Sequence, residues 1–366
     1  MLHKALAVVG TRPDAIKMCP VIKELKARRQ ITCRVLSSGQ HREMLADVLS
    51  KNGLHADVEL AVMRKGQSLA ALTERLIASL REAIEKEMPS LIIVHGDTTT
   101  SFCAALVGFS LGIPVAHVEA GLRSMDIKNP YPEEMNRRAI ALFSELHFAP
   151  NRSAEENLLR EGIETSKIFV TGNTVYDALK NAFDESFSHP VLERFGNRPF
   201  VILTAHRREN RNKLEHILLG VRDALEECGI PAVFPVHPCK ETVAAAERVF
   251  GNCELVILSE PMSAYEFHNL LARCYIAVTD SGGVQEEAPA FSKPVLVLRD
   301  VTEREEELRS GALVLGGTAR ESVYRALKEL IRDGDKYQRA AKAKSRTQTG
   351  AAEKIADIVC RYLNYR

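Results

Sequence analysis

Short apolar runs alternate with longer amphipathic stretches along nearly the whole chain. KALAVVG, residues 4–10, reads as a buried strand, and PDAIKMCPVIKELKAR after it as a helix interrupted at Pro20. ITCRVLSSG is a strand and HREMLADVLSKNG a helix that ends at glycine; a longer helix is predicted over 68–87. LIIVHGD, residues 91–97, is again a buried strand, TTSFCAALVGFSLG a helix and IPVAHVEAG a strand. Strands that are apolar throughout, each followed by a helical period, indicate a parallel sheet covered on both faces.

The pattern then repeats. PFVILTAH, residues 199–206, is a strand, and 213–228 is a helix. AVFPVH, CELVIL, YIAVTDSGG and KPVLVLRD follow as strands with helices between them, and a helix over 351–364 ends the pattern. The stretch 184–199, DESFSHPVLERFGNRP, is polar and turn-rich with two prolines, which makes it the linker candidate. One doubly wound α/β domain is expected before it and another after it. A length of 366 residues fits that count, at about 100–200 residues per domain.

Composition narrows the class. Hydrophobic residues are 45% and charged residues 27%, ordinary for a soluble globular protein. Lys+Arg is 49 against Asp+Glu 48, a net charge of +1, which argues against a nucleic-acid-binding protein. The eight cysteines form no CxxC pair and are expected as free thiols in a reducing cytosol. MLHKALAVVG is too short for a signal peptide, and no apolar run approaches the ~18–20 residues of a membrane helix. A cytoplasmic protein without membrane insertion is the expectation.

In open α/β sheets ligands sit outside the carboxyl ends of the strands. The chemistry-bearing residues cluster there: Arg12 after the first strand, His95-Gly96-Asp97 after LIIV, Glu119 after IPVAHV, His206-Arg207-Arg208 after FVILTA, His237 after AVFPV, and Asp280-Ser281-Gly282-Gly283 after YIAVT. Six such clusters on two domains imply one cleft between them. The Ser281-Gly282-Gly283 turn opens a helix, where free N–H groups and the positive dipole end suit a diphosphate, and Glu287 one turn on suits ribose hydroxyls. The plainer reading of that segment is a tight βα turn. Arg12 suits a bidentate grip on phosphate, against a solvated arginine before Pro13. Lys17 alone reads more simply as an exposed helix residue.

Asp97, Glu119 and Glu133 converge as candidate acid/base groups. Asp97 also reads as an N-cap before Thr98, and Glu133 as a dipole-matching residue after Pro132. Glu119 is harder to explain structurally. His206 with Arg207 and Arg208 forms a cationic rim suited to an anionic leaving group, the plainer reading being a polar loop. His95, His117 and His237 lack metal-site spacing and have no cysteine partner, so neither metal nor other cofactor is expected.

GTRPDAIKMCPVI, SGQHREML, VHGDTTTS, VEAGLRS, PYPEEMNRR, VTGNTVYDAL, HRREN, PVHP, TDSGGVQEEAP and RDVTER together resemble the non-hydrolysing UDP-N-acetylglucosamine 2-epimerase family, in the family's order and over most of the chain. The resemblance implies a GT-B type fold of two Rossmann-like domains, 1–172 joined by a terminal helix 351–366, and a UDP-binding domain 173–350. It implies interconversion of UDP-GlcNAc and UDP-ManNAc, and a homodimer. Arg12, Lys17, Asp97, Glu119, Glu133 and His206 match catalytic or substrate-contacting positions of the family. Phe267, Ser281, Gly282, Gly283, Glu287 and Arg304 match nucleotide-binding ones. Met262 stands where the family often has a glutamine near the uracil. Gln40, Arg42, Glu43 and Arg207 fall where some members bind an activating second UDP-GlcNAc, but Gly66 replaces an activator-contacting arginine. Tyr131 stands where some members have tryptophan.

The C2 hydrogen of the sugar is not acidic, so inversion needs a departing group at C1. Elimination of UDP to 2-acetamidoglucal and re-addition fits, with acids serving both faces and cations on the diphosphate. The rival readings are a 2-epimerase of a modified UDP sugar such as a UDP-2,3-diacetamido uronic acid, a hydrolysing 2-epimerase, a GT-B glycosyltransferase and a non-catalytic nucleotide-sugar sensor.

Overall fold

The structure is a computed structural model that describes residues 3–40, 42–64, 66–180, 182–302, 304–343 and 350–364. The chain divides into two compact units, Met1–Ala178 with Thr347–Arg366, and Leu179–Arg346. Each is a parallel sheet with helices on both faces, the α/β class that the apolar strands implied.

The first unit carries seven strands: β1 His3–Val9, β2 Ile31–Ser37, β3 Val58–Glu59, β4 Leu91–His95, β5 Val115–Val118, β6 Leu146–Ala149 and β7 Ile168–Val170. Their order is β3-β2-β1-β4-β5-β6-β7. The chain winds outward from β1 to β3, then returns to pair β4 with β1 on the other side. The topological switch point therefore lies between the ends of β1 and β4, at Gly10-Thr11-Arg12 and Gly96-Asp97. One face packs on helix Arg12–Ala27 and helix Ala351–Asn364, whose Ile355, Val359 and Leu363 are buried against Met18, Ile22 and Leu25. The other packs on helices Leu69–Glu87 and Thr99–Ser110. Pro20 does not interrupt the first helix, which runs through it unbroken. Burial of the side chains on either side of the proline outweighs the one backbone hydrogen bond it removes.

The second unit carries β8 Val201–Thr204, β9 Ala232–Pro235, β10 Val256–Ser259, β11 Ile276–Thr279, β12 Val295–Val297 and β13 Leu313–Leu315, in the order β10-β9-β8-β11-β12-β13. Its switch point falls between β8 and β11, at His206-Arg207 and Asp280-Ser281-Gly282. The stretch 184–199 is not an open linker. It contains helix Pro190–Phe195, whose Val191 and Phe195 are buried in this unit's core beside Phe187, because three apolar side chains among the polar ones find cover there. Among the described residues no helix is long and apolar enough to cross a membrane.

The start of the terminal helix is tied to the first unit by the Asp177 side chain. The Asp177 carboxylate accepts from the Gly350 N–H at 2.6 Å and the Ala352 N–H at 2.8 Å, capping the start of helix Ala351–Asn364 from outside it. Asp177→Ala is expected to lower the stability of the first unit by about 0.5–2 kcal/mol, the usual worth of a helix cap. Urea unfolding midpoints of the variant and the parent protein check this.

Candidate active site

At the first switch point, helix Arg12–Ala27 begins directly after β1, placing Arg12 at its first position. Lys17 lies one turn further and is not on an exposed face. It is 5% exposed, and its ammonium donates to Glu119 across the sheet edge. Two neighbouring charges with so little solvent must be paired to be tolerated. Glu119 follows β5 with φ of 64°, in the left-handed region that costs a side-chain-bearing residue roughly 1–2 kcal/mol. That conformation turns its carboxylate over Gly96, where Oε2 stands 3.1 Å from the position a Cβ would take.

Asp97 does not cap helix Thr99–Ser110. Thr98 does, its hydroxyl accepting from the Ser101 N–H at 3.2 Å. Asp97 instead receives Arg137, Nε to Oδ2 at 2.9 Å and Nη2 to Oδ2 at 2.7 Å, while the Asn136 side chain donates to its backbone carbonyl at 2.8 Å. Both partners project from helix Glu133–Phe143, so half-buried Glu133 begins the helix that holds Asp97. Cis peptide bonds at Asn129–Pro130 and Tyr131–Pro132 lie in the loop before it, and Tyr131 is exposed. The buried Glu134 accepts from Arg137 at 2.8 Å and from the Ser124 N–H at 3.0 Å. Neither Arg137 nor Glu134 was singled out in the sequence, although PYPEEMNRR places them at i and i+3 on one helix face.

Two further groups back this site. His117 sits on β5 with no exposure and donates Nε2 to the Gly96 carbonyl at 2.7 Å; burial pushes its pKa down to about 3, so it stays neutral. Asp14, 4% exposed, accepts from the Thr11 N–H at 3.2 Å and from the Thr98 hydroxyl at 3.3 Å. Burial, aided by the charge on Asp97, pushes its pKa up to about 7 against hydrogen bonds that lower it.

The second switch point gathers arginines beside a helix start. Helix Gly282–Ala290 starts at Ser281, with Glu287 in its second turn. An added Cβ on Gly282 would lie 3.1 Å from both terminal nitrogens of Arg304 and 3.3 Å from Nη2 of Arg207. Two guanidinium groups thus converge on a helix N-terminus, an arrangement that suits an anion with several oxygens. Arg304 is held by the buried Glu286, Nε at 2.9 Å and Nη2 at 2.7 Å. A side chain at Gly282 would crowd both guanidinium groups. His206 and Arg207 follow β8, and the His206 ring stacks on His237 with centroids 5.6 Å apart. Glu287 faces His268, Oε2 to Nε2 at 3.5 Å. Met262 and Phe267 pack half-buried on the core below.

Of the other expected positions, Gln40 follows β2 and accepts from the Thr100 hydroxyl at 3.0 Å, while Glu43 is exposed on helix Arg42–Lys51. Arg207 is in the second unit with the cationic cluster. The side chain of Arg42 lies outside the described residues. All eight cysteines are free, and burial pushes the thiols of Cys19, Cys33, Cys103 and Cys274 up to about 12.

Two doubly wound parallel sheets, one with a glycine turn faced by two guanidinium groups and the other with acids at its switch point, are the architecture of the GT-B type. The chain matches a family model described as UDP-N-acetylglucosamine 2-epimerase over residues 23–360. A Bacillus subtilis (strain 168) protein named UDP-N-acetylglucosamine 2-epimerase is 42% identical over 366 residues, covering 99% of this chain and 96% of its own. The S. aureus MnaA–UDP co-structure is similar with a TM-score of 0.95 at 39% identity, covering 99% and 97% of the two chains. The crystal structure of UDP-GlcNAc 2-epimerase from Neisseria meningitidis bound to UDP-GlcNAc is similar with a TM-score of 0.93 at 37% identity, covering 98% and 100%. This chain belongs to the UDP-N-acetylglucosamine 2-epimerase family.

The raised pKa of Asp14 has a signed consequence. A carboxyl whose folded value exceeds its unfolded 3.8 contributes stability that is fully present below 3.8 and is lost as pH climbs to about 7. Asp14→Asn removes that dependence. The variant's stability relative to the parent is expected to improve between pH 4 and 8, as read from urea midpoints at each pH.

Proposed function

We propose that the protein interconverts UDP-GlcNAc and UDP-ManNAc by inverting C2, without hydrolysis. The observation that carries this reading is the convergence of Arg207 and Arg304 on the Gly282 helix start, with a paired set of acids at the other switch point. In this reading the second unit holds the UDP, its guanidinium groups and helix N–H groups taking the charge that develops on the diphosphate. Electrostatic donors of this kind are each worth about 2.7–4 kcal/mol of barrier. Met262 and Phe267 lie toward the base, and Glu287 toward the ribose.

The acids of the first unit act on the sugar. A carboxylate removes the C2 proton as the C1–O bond breaks, the C–H electrons form the C1=C2 bond of 2-acetamidoglucal, and UDP carries off the bond pair. UDP then re-adds at C1 while a second acid returns a proton to the opposite face of C2. Asp97, Glu119 and Glu133 fill these roles, with Arg12 and Lys17 beside them and His206 on the diphosphate. Arg137 keeps Asp97 aimed, as the Lys17 pair keeps Glu119.

The test is turnover of UDP-GlcNAc with products separated by chromatography. UDP-ManNAc is expected with no free ManNAc; free ManNAc plus UDP indicates a hydrolysing enzyme, and unchanged substrate redirects the search to modified UDP sugars. Asp97→Asn, Glu119→Gln and Glu133→Gln are each expected to lower kcat by about 10²-fold or more, the range of general acid–base catalysis. A variant near the parent rate leaves the set.

A further inference from the structure

Asp280 has no exposure to solvent, and its charge is the most completely enclosed carboxylate of the second unit's switch point. It stands at the end of β11 and reaches to the segment after β8. Its oxygens accept from the His206 N–H at 3.0 and 3.1 Å and from the Arg207 N–H at 2.9 Å. The Asn210 side chain donates to it at 3.1 Å and also to the Leu298 carbonyl at 3.0 Å, fixing the carboxylate from behind. The His206 Nδ1 lies 3.7 Å away. One buried anion therefore accepts from the backbone of both His206 and Arg207 and faces the His206 side chain. A buried carboxylate held only by donors on a single short turn ties that turn to the next strand, because breaking any of these bonds leaves the charge under-solvated.

We propose that Asp280 is the positioning residue of the nucleotide site: it clamps the turn after β8 to the start of helix Gly282–Ala290 and so aims His206 and Arg207 at the diphosphate. This rests on the proposed reading only in that a UDP diphosphate is the anion bound. Arg207 reaches 3.3 Å from the Gly282 Cβ position from a backbone that Asp280 holds, whereas Arg304 arrives from elsewhere with its own carboxylate, Glu286. The clamp also acts on the imidazole. Although 39% of the His206 side chain is open to solvent, desolvation lowers its pKa, the charge of Asp280 opposes that, and Arg207 and His237 lower it while Glu209 raises it.

The experiment pairs UDP affinity, by calorimetry at fixed pH, with the His206 titration, by NMR of histidine-labelled protein assigned through His206→Gln. Neither readout needs turnover, so a failure of the epimerase reading leaves both intact. Asp280→Asn keeps the shape, removes the charge, and turns an amide donor toward backbone donors. Its UDP affinity is expected to fall at least about tenfold, matching the cost of a mispaired buried group. The His206 titration is expected to move to lower pH because the opposing charge is gone, which confirms the contact, while the loss of UDP affinity reports the aim. A folded variant with parental UDP affinity overturns the proposal, whatever the His206 titration does. If Asp280→Asn does not fold, Asn210→Ala loosens the carboxylate without removing its charge. Weaker UDP binding with the titration still near its parental pH supports the clamp, and parental affinity overturns it.

Discussion

A parallel sheet covered on both faces leaves polar groups one place to go. Its strands are apolar from end to end, so charged side chains gather beyond their carboxyl ends, where the helices start, and those with little solvent must be paired. Both units of this protein obey that constraint. In the first, the acids are Asp97, gripped by Arg137, and Glu119, gripped by Lys17. In the second, Asp280 is satisfied by two backbone N–H groups and an amide, and Arg304 by Glu286. The partners that keep these groups in place also fix where they point.

The two switch points differ in their charged groups. The glycine turn at Gly282 lets two guanidinium groups approach a helix N-terminus. The first switch point instead carries acids in contrasting environments. Glu119 is held in a left-handed backbone conformation beside Gly96, while Asp14 is pushed toward neutrality by burial next to Asp97.

Much of this was legible in the chain. Continuous apolar strands followed by helical periods gave the two doubly wound sheets, and the strand-end rule picked out Arg12, Asp97, Glu119, His206 and the Ser281-Gly282-Gly283 turn. The rest was not legible, for physical reasons. β3, β7 and β13 are two or three residues long, too short for any periodicity. Pro20 and the prolines of 184–199 read as breaks because sequence shows the lost backbone bond but not the burial around it. Lys17 looked like a surface residue because its partner is Glu119, 102 residues away. Arg137, Glu134, Asp14 and Asp280 were passed over or left without a role for the same reason: their work is done on other side chains and backbone groups. The motif resemblance alone pointed to Arg304 and Phe267, which no local pattern marks.

The central claim is that the C2 proton is removed and returned while UDP departs and re-adds. Proton NMR of UDP-GlcNAc turned over in deuterated water tests it most directly. The account predicts UDP-ManNAc with deuterium entering C2 of both epimers. UDP-ManNAc formed with its C2 proton retained, or free ManNAc accumulating with UDP, would contradict it.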